Sequence, residues 1–179
     1  MAQTDLTIAG VGGQGSILAG VILGSAAVTF DDKYATQTQA YSSELRGGFA
    51  AAWVIISDTP IEFPRVVHPD VMVAQAQDSI DRFGNVLKPE AILIIDGDMV
   101  NSTPPGVKQC YKIQATTIAR NEFKLALVAN MIMLGALCSV TQVVSRTALE
   151  KAIVKAVPKG KDQINLEAFN KGFEQVKPL

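Results

Sequence analysis

The sequence predicts one α/β domain of the Rossmann-like kind, an open and mostly parallel sheet with helices on both faces. Three observations carry this. The apolar run Leu6-Thr7-Ile8-Ala9 leads into Gly10-Val11-Gly12-Gly13-Gln14-Gly15 and then into an apolar segment of helical length, Ser16 to Val28. Strand, glycine turn and helix in that order open a doubly wound unit. A second apolar run, Ala91 to Ile95, is unbroken, as in a strand covered on both faces. The chain has 179 residues, which suits one domain with a sizeable core, since domains cluster near about 100–150 residues.

The elements follow in order. Leu6 to Ala9 reads as a short buried strand and Ser16 to Val28 as the helix behind the glycine turn. Tyr34 to Tyr41 is extended and polar, and ends in Ser42-Ser43-Glu44-Leu45-Arg46-Gly47-Gly48, a polar turn with a glycine pair. Phe49 to Ser57 is the next strand, after which Asp58-Thr59-Pro60 and Pro64 punctuate a loop. Val71 to Ala74 is a short strand after Pro69-Asp70, and Ser79 to Leu87 a helix closed by Lys88-Pro89. Asp96-Gly97-Asp98 sits at the carboxyl end of the Ala91 to Ile95 strand, and Val107 to Ile113 is a further strand. Leu125 to Val144 then forms a long apolar helix. Thr147-Ala148-Leu149-Glu150 matches a capping box, and Asn165 caps a last helix, Leu166 to Val176.

Composition excludes several function classes. A net charge of −1 with interspersed acids and bases offers no basic stripe for nucleic acid. Cys110 and Cys138 are far apart and His68 is the single histidine. Neither the roughly four thiolates of an iron–sulfur cluster nor the roughly four ligands of a structural zinc site can be assembled. No signal peptide precedes the first strand, so the expected compartment is cytoplasmic. Leu125 to Val144 is long enough to cross a bilayer, but Asn130, Ser139, Thr141 and Gln142 interrupt it. It reads instead as a helix wedged between the sheet and a partner subunit, with no membrane contact. The positive mean hydropathy, +0.23, points the same way, because permanent interfaces resemble a core cut in half.

The glycine turn is the candidate binding element. Glycine at Gly10 permits a tight turn, Gly12 and Gly13 let backbone amides approach an anion, and Gly15 lets helix and strand pack closely. Gln14 and Ser16 complete the candidate contacts, where the helix start adds about half a positive charge. Diphosphates, carboxylates and pantetheine-linked nucleotides all suit such a turn; the alternative is a loop that merely reverses the chain. An NAD site needs an acid at the end of the second strand to hold the ribose. Asp31 and Asp32 precede that strand, and Tyr34 to Ser43 contains no acid. Arg46 beside Gly47 and Gly48 either clamps a phosphate or carboxylate, with Glu44 orienting it, or forms an Arg–Glu pair at a subunit interface. His68 reads as a solvated loop residue, Trp53 as core or interface, and both cysteines as inert thiols. No residue is assigned a catalytic role.

Gly-x-Gly-Gly-Gln-Gly, then Glu44-Leu45-Arg46-Gly47-Gly48, then Ser57-Asp58-x-x-Ile61, then Pro69-Asp70, resembles the gamma subunit of 2-oxoacid:ferredoxin oxidoreductases. Leu87-Lys88-Pro89, Asn130 with Leu134-Gly135-Ala136, and Asn170-Lys171-Gly172 extend the likeness over nearly the whole chain. Gln37-x-Gln39-Ala40-Tyr41-Ser42-Ser43-Glu44 is most similar to the 2-oxoglutarate branch, although Ser42-Ser43 departs from the glycine common before the glutamate. The alternatives are a pyruvate, 2-oxoisovalerate or indolepyruvate oxidoreductase subunit, or a stand-alone dinucleotide-binding protein. The resemblance implies that residues 1–179 form one gamma-type catalytic domain, active only with alpha, beta and ferredoxin-like subunits. It implies thiamine diphosphate, magnesium and iron–sulfur clusters in those partners. It implies CoA as a substrate that this scaffold helps to bind through the glycine turn, Glu44 and Arg46.

Overall fold

The computed structural model describes residues 3–42 and 47–179. Its centre is a seven-stranded sheet. The strands are β1 (Gln3–Val11), β2 (Tyr34–Tyr41), β3 (Phe49–Ser57), β4 (Val71–Ala74), β5 (Ile92–Asp96), β6 (Gln109–Ile113) and β7 (Lys177–Pro178), in the spatial order β2-β3-β1-β4-β5-β6-β7. The β1-β4-β5-β6 centre is parallel. The flanks are antiparallel, with β3 pairing β1 from Gln3↔Ser57 to Val11↔Phe49, β2 pairing β3, and β7 pairing β6. The expected α/β layering is present, with its parallel run confined to the middle. β3 lies between β1 and β2, so the first two strands in sequence are not neighbours.

Alternation along the strands sends residues to two unequal cores. Leu6, Ile8, Val54, Ile56, Val71, Val73 and Ile94 face one side. There α1 (Ser16–Phe30), α3 (Ala115–Asn121), α4 (Ala129–Thr141), α5 (Arg146–Ala156) and α6 (Asp162–Gln175) supply the apolar cover. Ala9, Ala51, Met72, Ala74, Leu93 and Ile95 face the other, against Ile80 of the short α2 (Gln77–Phe83). Helices thus cover both faces, one of them thinly.

Several boundaries differ from the sequence expectations. The apolar run Leu125 to Val144 is not one helix: a 3-10 turn spans Ala126–Val128, and α4 ends at Gln142, whose φ of 49° is left-handed. The 13 residues of α4 rise only about 20 Å, and among the described residues no helix is long and apolar enough to cross a membrane. The expectation that a partner subunit buries this helix is corrected, because α6 of the same chain does so. A Cβ at Gly135 would collide with the Phe169 carbonyl, and one at Gly172 with that of Ile132, so the two backbones touch.

Ser145, not Thr147, caps α5: its Oγ accepts from the Ala148 amide at 3.2 Å, while it donates to Asp31 at 2.6 Å. Asn165 is no cap either, since α6 begins at Asp162 and the Asn165 side chain donates back to the Lys161 carbonyl. The expected Ser79 to Leu87 helix is α2 followed by a 3-10 turn at Gly84–Val86.

Candidate functional site

The glycine turn lies at the carboxyl end of the parallel centre, between β1 and α1. Open α/β sheets receive ligands at this edge. β4 builds its floor. The Gln75 amide extends the β1–β4 ladder by donating to the Ala9 carbonyl at 2.8 Å, and its side chain, 2% exposed, turns under the loop. There Gln75 Oε1 accepts from Ser16 Oγ at 2.6 Å, and Nε2 donates to the Gln14 carbonyl at 3.2 Å. Gln14 folds inward in return. Its Nε2 donates to the Gln75 carbonyl at 2.9 Å and its Oε1 accepts from the Val11 amide at 2.8 Å.

Gly10 is required for this inward folding rather than for a tight bend. It is still in the strand, and a Cβ there would sit 2.5 Å from Gln14 Oε1 and 2.8 Å from Ser16 Oγ. The bend itself falls at Gly13 and Gly15, with φ of 96° and 76°, a region that favours glycine. On the far side of the turn, buried Asn130 of α4 donates its Nδ2 to the Gly15 carbonyl at 3.4 Å.

These bonds determine what remains for a ligand. The Gln14 and Ser16 side chains are engaged within the loop, so the sites expected at those residues reduce to backbone. The Gly12 amide donates to the Gly48 carbonyl at 2.7 Å, which joins the two glycine motifs. Gly12 and Gly13 are exposed, and nothing lies within 4 Å of a Cβ built on Gly13. The first backbone bond of α1 is Ala19 N to Gly15 O, so the Ser16, Ile17 and Leu18 amides have no acceptor within the helix. No side chain caps this end and no acid stands in its first turn. Ser16 itself is buried, so the donors nearest solvent are those of partly buried Ile17 and exposed Leu18, with a positive dipole end behind them.

Gly47 and Gly48 lie beside the loop, within 4 Å of a Cβ built on Gly12. Glu44 and Arg46 lie outside the described residues. Phe49, the residue after Gly48, packs edge-on against Phe83 with centroids 6.1 Å apart, and Trp53 meets the same ring at 5.7 Å. The Arg82 guanidinium stacks 4.9 Å over Phe49 and pairs with Asp78 at 2.7 Å. Sequence reasoning missed Arg82 and Gln75. A polar residue directly after the wholly apolar Val71 to Ala74 strand was the available signal for Gln75.

The acids a dinucleotide site would need lie elsewhere. Asp31, beyond the far end of α1, accepts from the Ser145 amide and hydroxyl at 2.6 Å each, about 20 Å along the helix from the loop. The place beside β1 where a second parallel strand would end is occupied by the start of antiparallel β3. Asp96 and Asp98 cap α3 instead. Asp96 accepts from the Thr116 amide and hydroxyl, and Asp98 from the Thr117 amide at 2.6 Å. Burial pushes the Asp96 carboxyl above its ordinary range.

The cysteines do not fit a cluster, since Cys138 belongs to the core on one face of the sheet and Cys110 packs on the other. Burial raises both thiols, Cys138 to about 11. Among the described residues, no group of three or more His, Cys, Asp or Glu is placed to hold a metal ion. His68 is exposed, with Nδ1 3.0 Å from the Val86 carbonyl. Two wide hollows, of about 840 and 860 Å³, lie beside Lys33–Tyr34 and between α3 and β7. Neither includes a residue of the glycine loop, whose exposed Gly12 and Gly13 form a surface rather than an enclosed pocket.

Comparison with known proteins gives this arrangement its relatives. A family model described as pyruvate ferredoxin/flavodoxin oxidoreductase matches residues 5–175. The 2-oxoglutarate synthase subunit KorC of Methanocaldococcus jannaschii is 46% identical over 179 residues, covering 99% of this chain and 96% of that protein. The gamma subunit of a keto/oxoacid ferredoxin oxidoreductase from Geobacter sulfurreducens superposes with a TM-score of 0.88 at 38% identity, over 98% of this chain and 97% of its own. The 2-oxoglutarate:ferredoxin oxidoreductase of Magnetococcus marinus, solved with 2-oxoglutarate, coenzyme A and succinyl-CoA bound, superposes with a TM-score of 0.83 at 25% identity. That match covers 97% of this chain and 31% of the longer one.

Proposed function

The chain belongs to the pyruvate ferredoxin/flavodoxin oxidoreductase family, and from that premise we propose that it is the gamma subunit of a multi-subunit 2-oxoglutarate:ferredoxin oxidoreductase. The complex would decarboxylate 2-oxoglutarate oxidatively in the presence of CoA, giving succinyl-CoA, CO2 and reduced ferredoxin. Near-complete mutual coverage at 46% identity with an archaeal 2-oxoglutarate synthase subunit supports that substrate over pyruvate or a branched 2-oxoacid. Thiamine diphosphate with magnesium supplies the decarboxylation chemistry and iron–sulfur clusters the electron path, both in the alpha, beta and ferredoxin-like partners. Among the described residues no group of three or more His, Cys, Asp or Glu is placed to hold a metal ion. The chain's own work is to bind and orient.

Within that role the glycine loop takes an anionic part of CoA, its diphosphate or the start of the pantetheine arm. One observation carries this: the first turn of α1 has free donors, no capping side chain and no acid, beside an open Gly13. Amides so placed bind phosphate oxygens without a lysine or arginine. Glu44, Arg46, Gly47 and Gly48 would shape the same surface. In the assembled complex, Gly13→Val is expected to raise the KM for CoA about tenfold, with the KM for 2-oxoglutarate unchanged. An unchanged CoA requirement would leave the loop a mere chain reversal. Calorimetric binding of NAD(P)H or FAD by the purified chain would favour the dinucleotide reading.

A further inference from the structure

We propose that Gln75 is the positioning residue of the glycine loop, holding the Gln14 to Ser16 backbone in the shape that presents its amides to CoA. The proposal rests on the CoA reading above and extends it to a residue outside the loop, 59 positions from Ser16 and 61 from Gln14. Three facts support it. Gln75 is 2% exposed, so an amide side chain that could have been apolar is kept in a nearly water-free place, where an unpaired polar group is costly. All its polar atoms are engaged, and only with this corner of the fold. The backbone amide bonds Ala9, the carbonyl takes Gln14 Nε2, Oε1 takes Ser16 Oγ, and Nε2 reaches the Gln14 carbonyl.

The third fact is the distribution of those bonds. They hold Gln14 from both its side chain and its backbone, and Ser16 from its hydroxyl. The intervening Gly15 and the preceding Gly13 have left-handed φ and no side chain to pin them. Glycines cost more backbone entropy to order than any other residues, and Asn130 on the far side reaches only the Gly15 carbonyl. The Gln75 bonds offset that cost before a ligand arrives, which is how preorganisation improves affinity. Glutamine is suited to the task because Ser16 requires an acceptor and the Gln14 carbonyl a donor, and one primary amide supplies both.

The experiment uses the assembled complex carrying Gln75→Leu or Gln75→Glu in this chain, with Gly13→Val alongside. Leucine removes both side-chain bonds. Glutamate keeps the Ser16 bond but sets a carboxylate oxygen against the Gln14 carbonyl and a charge under an anion site. We expect the Kd for CoA by calorimetry and the KM for CoA to rise about tenfold for leucine and more for glutamate. The KM for 2-oxoglutarate and kcat at saturating CoA should hold. Amide hydrogen exchange should quicken across residues 11–16 without CoA present, and Ser16→Ala should add little to Gln75→Leu, since both act through one network.

If Gly13→Val weakens CoA and the Gln75 variants do not, positioning by Gln75 is wrong and the CoA reading stands. If exchange quickens in the Gln75 variants while no variant, Gly13→Val included, moves CoA affinity, the CoA reading is what fails. A general loss of melting temperature and kcat, with exchange rising throughout the sheet, would make Gln75 a stability residue only and overturn the proposal.

Discussion

Asp70 and Lys88 belong to short motifs, Pro69-Asp70 and Leu87-Lys88-Pro89, that stand out in the sequence without explaining themselves. In the fold they meet at the amino ends of β4 and β5, opposite the glycine loop. Asp70 Oδ1 pairs with Lys88 Nζ at 2.5 Å while Oδ2 accepts from the Asp5 amide at 2.9 Å. One carboxylate thus fastens the start of β1 to the loop before β5. Hydrogen bonding to Asp70 raises the Lys88 ammonium above its ordinary 10.5. A raised lysine pKa means stabilisation that is full below the unfolded value and lost as pH rises through the folded one. Lys88→Met should therefore lower stability by about 1 kcal/mol, or about 2–4 °C in melting temperature. The gap from wild type should stay flat from neutral pH to about 10 and close above it. A gap that closed near pH 7 would point to another titrating group.

Elements were legible where their signals are short-range. β2, β3 and β4 match the expected spans, and strand, glycine turn and helix stand in the expected order, because side-chain period and turn glycines act over a few residues. β7, only two residues long, and α3 went unseen. α1 and α4 are apolar on nearly every side, so periodicity could not say which face each buries.

The partner of α4 was the larger surprise. Leu134-Gly135-Ala136 and Asn170-Lys171-Gly172 resemble family motifs of unassigned purpose, and the fold makes them a single backbone-to-backbone crossing of α4 and α6. Because the colliding atoms are main-chain, no rotamer change can relieve an added side chain. Gly135→Val is expected to cost at least about 3 kcal/mol, lowering the melting temperature by about 6–12 °C. A thermal unfolding curve superimposable on wild type would show that the helices do not cross there.

At the scale of the whole molecule, the surplus of apolar residues remains visible after folding. Leu18, Val21 and Val28 on the outer side of α1 are 40%, 45% and 54% exposed, as befits a chain that works inside a complex. Among the described residues no group of three or more His, Cys, Asp or Glu is placed to hold a metal ion, and burial raises both cysteine thiols. The purified chain is accordingly expected to show no decarboxylation of 2-oxoglutarate with a dye acceptor, and turnover by the chain alone would remove it from the subunit role.

The glycine turn shows where reading from sequence stops. Its spacing, the helix behind it, and the absence of an acid in Tyr34 to Ser43 are local facts, and they sufficed to mark the turn and to set it apart from an NAD site. That β3 inserts between β1 and β2 and brings Gly48 onto Gly12, and that Gln75 locks Gln14 and Ser16 from 59 to 61 residues away, depend on strand order. Strand order is settled by which apolar faces are buried together over the whole chain. Local sequence therefore determined the turn and its helix. Only tertiary packing decided which of its groups are tied down and which are left to meet a ligand.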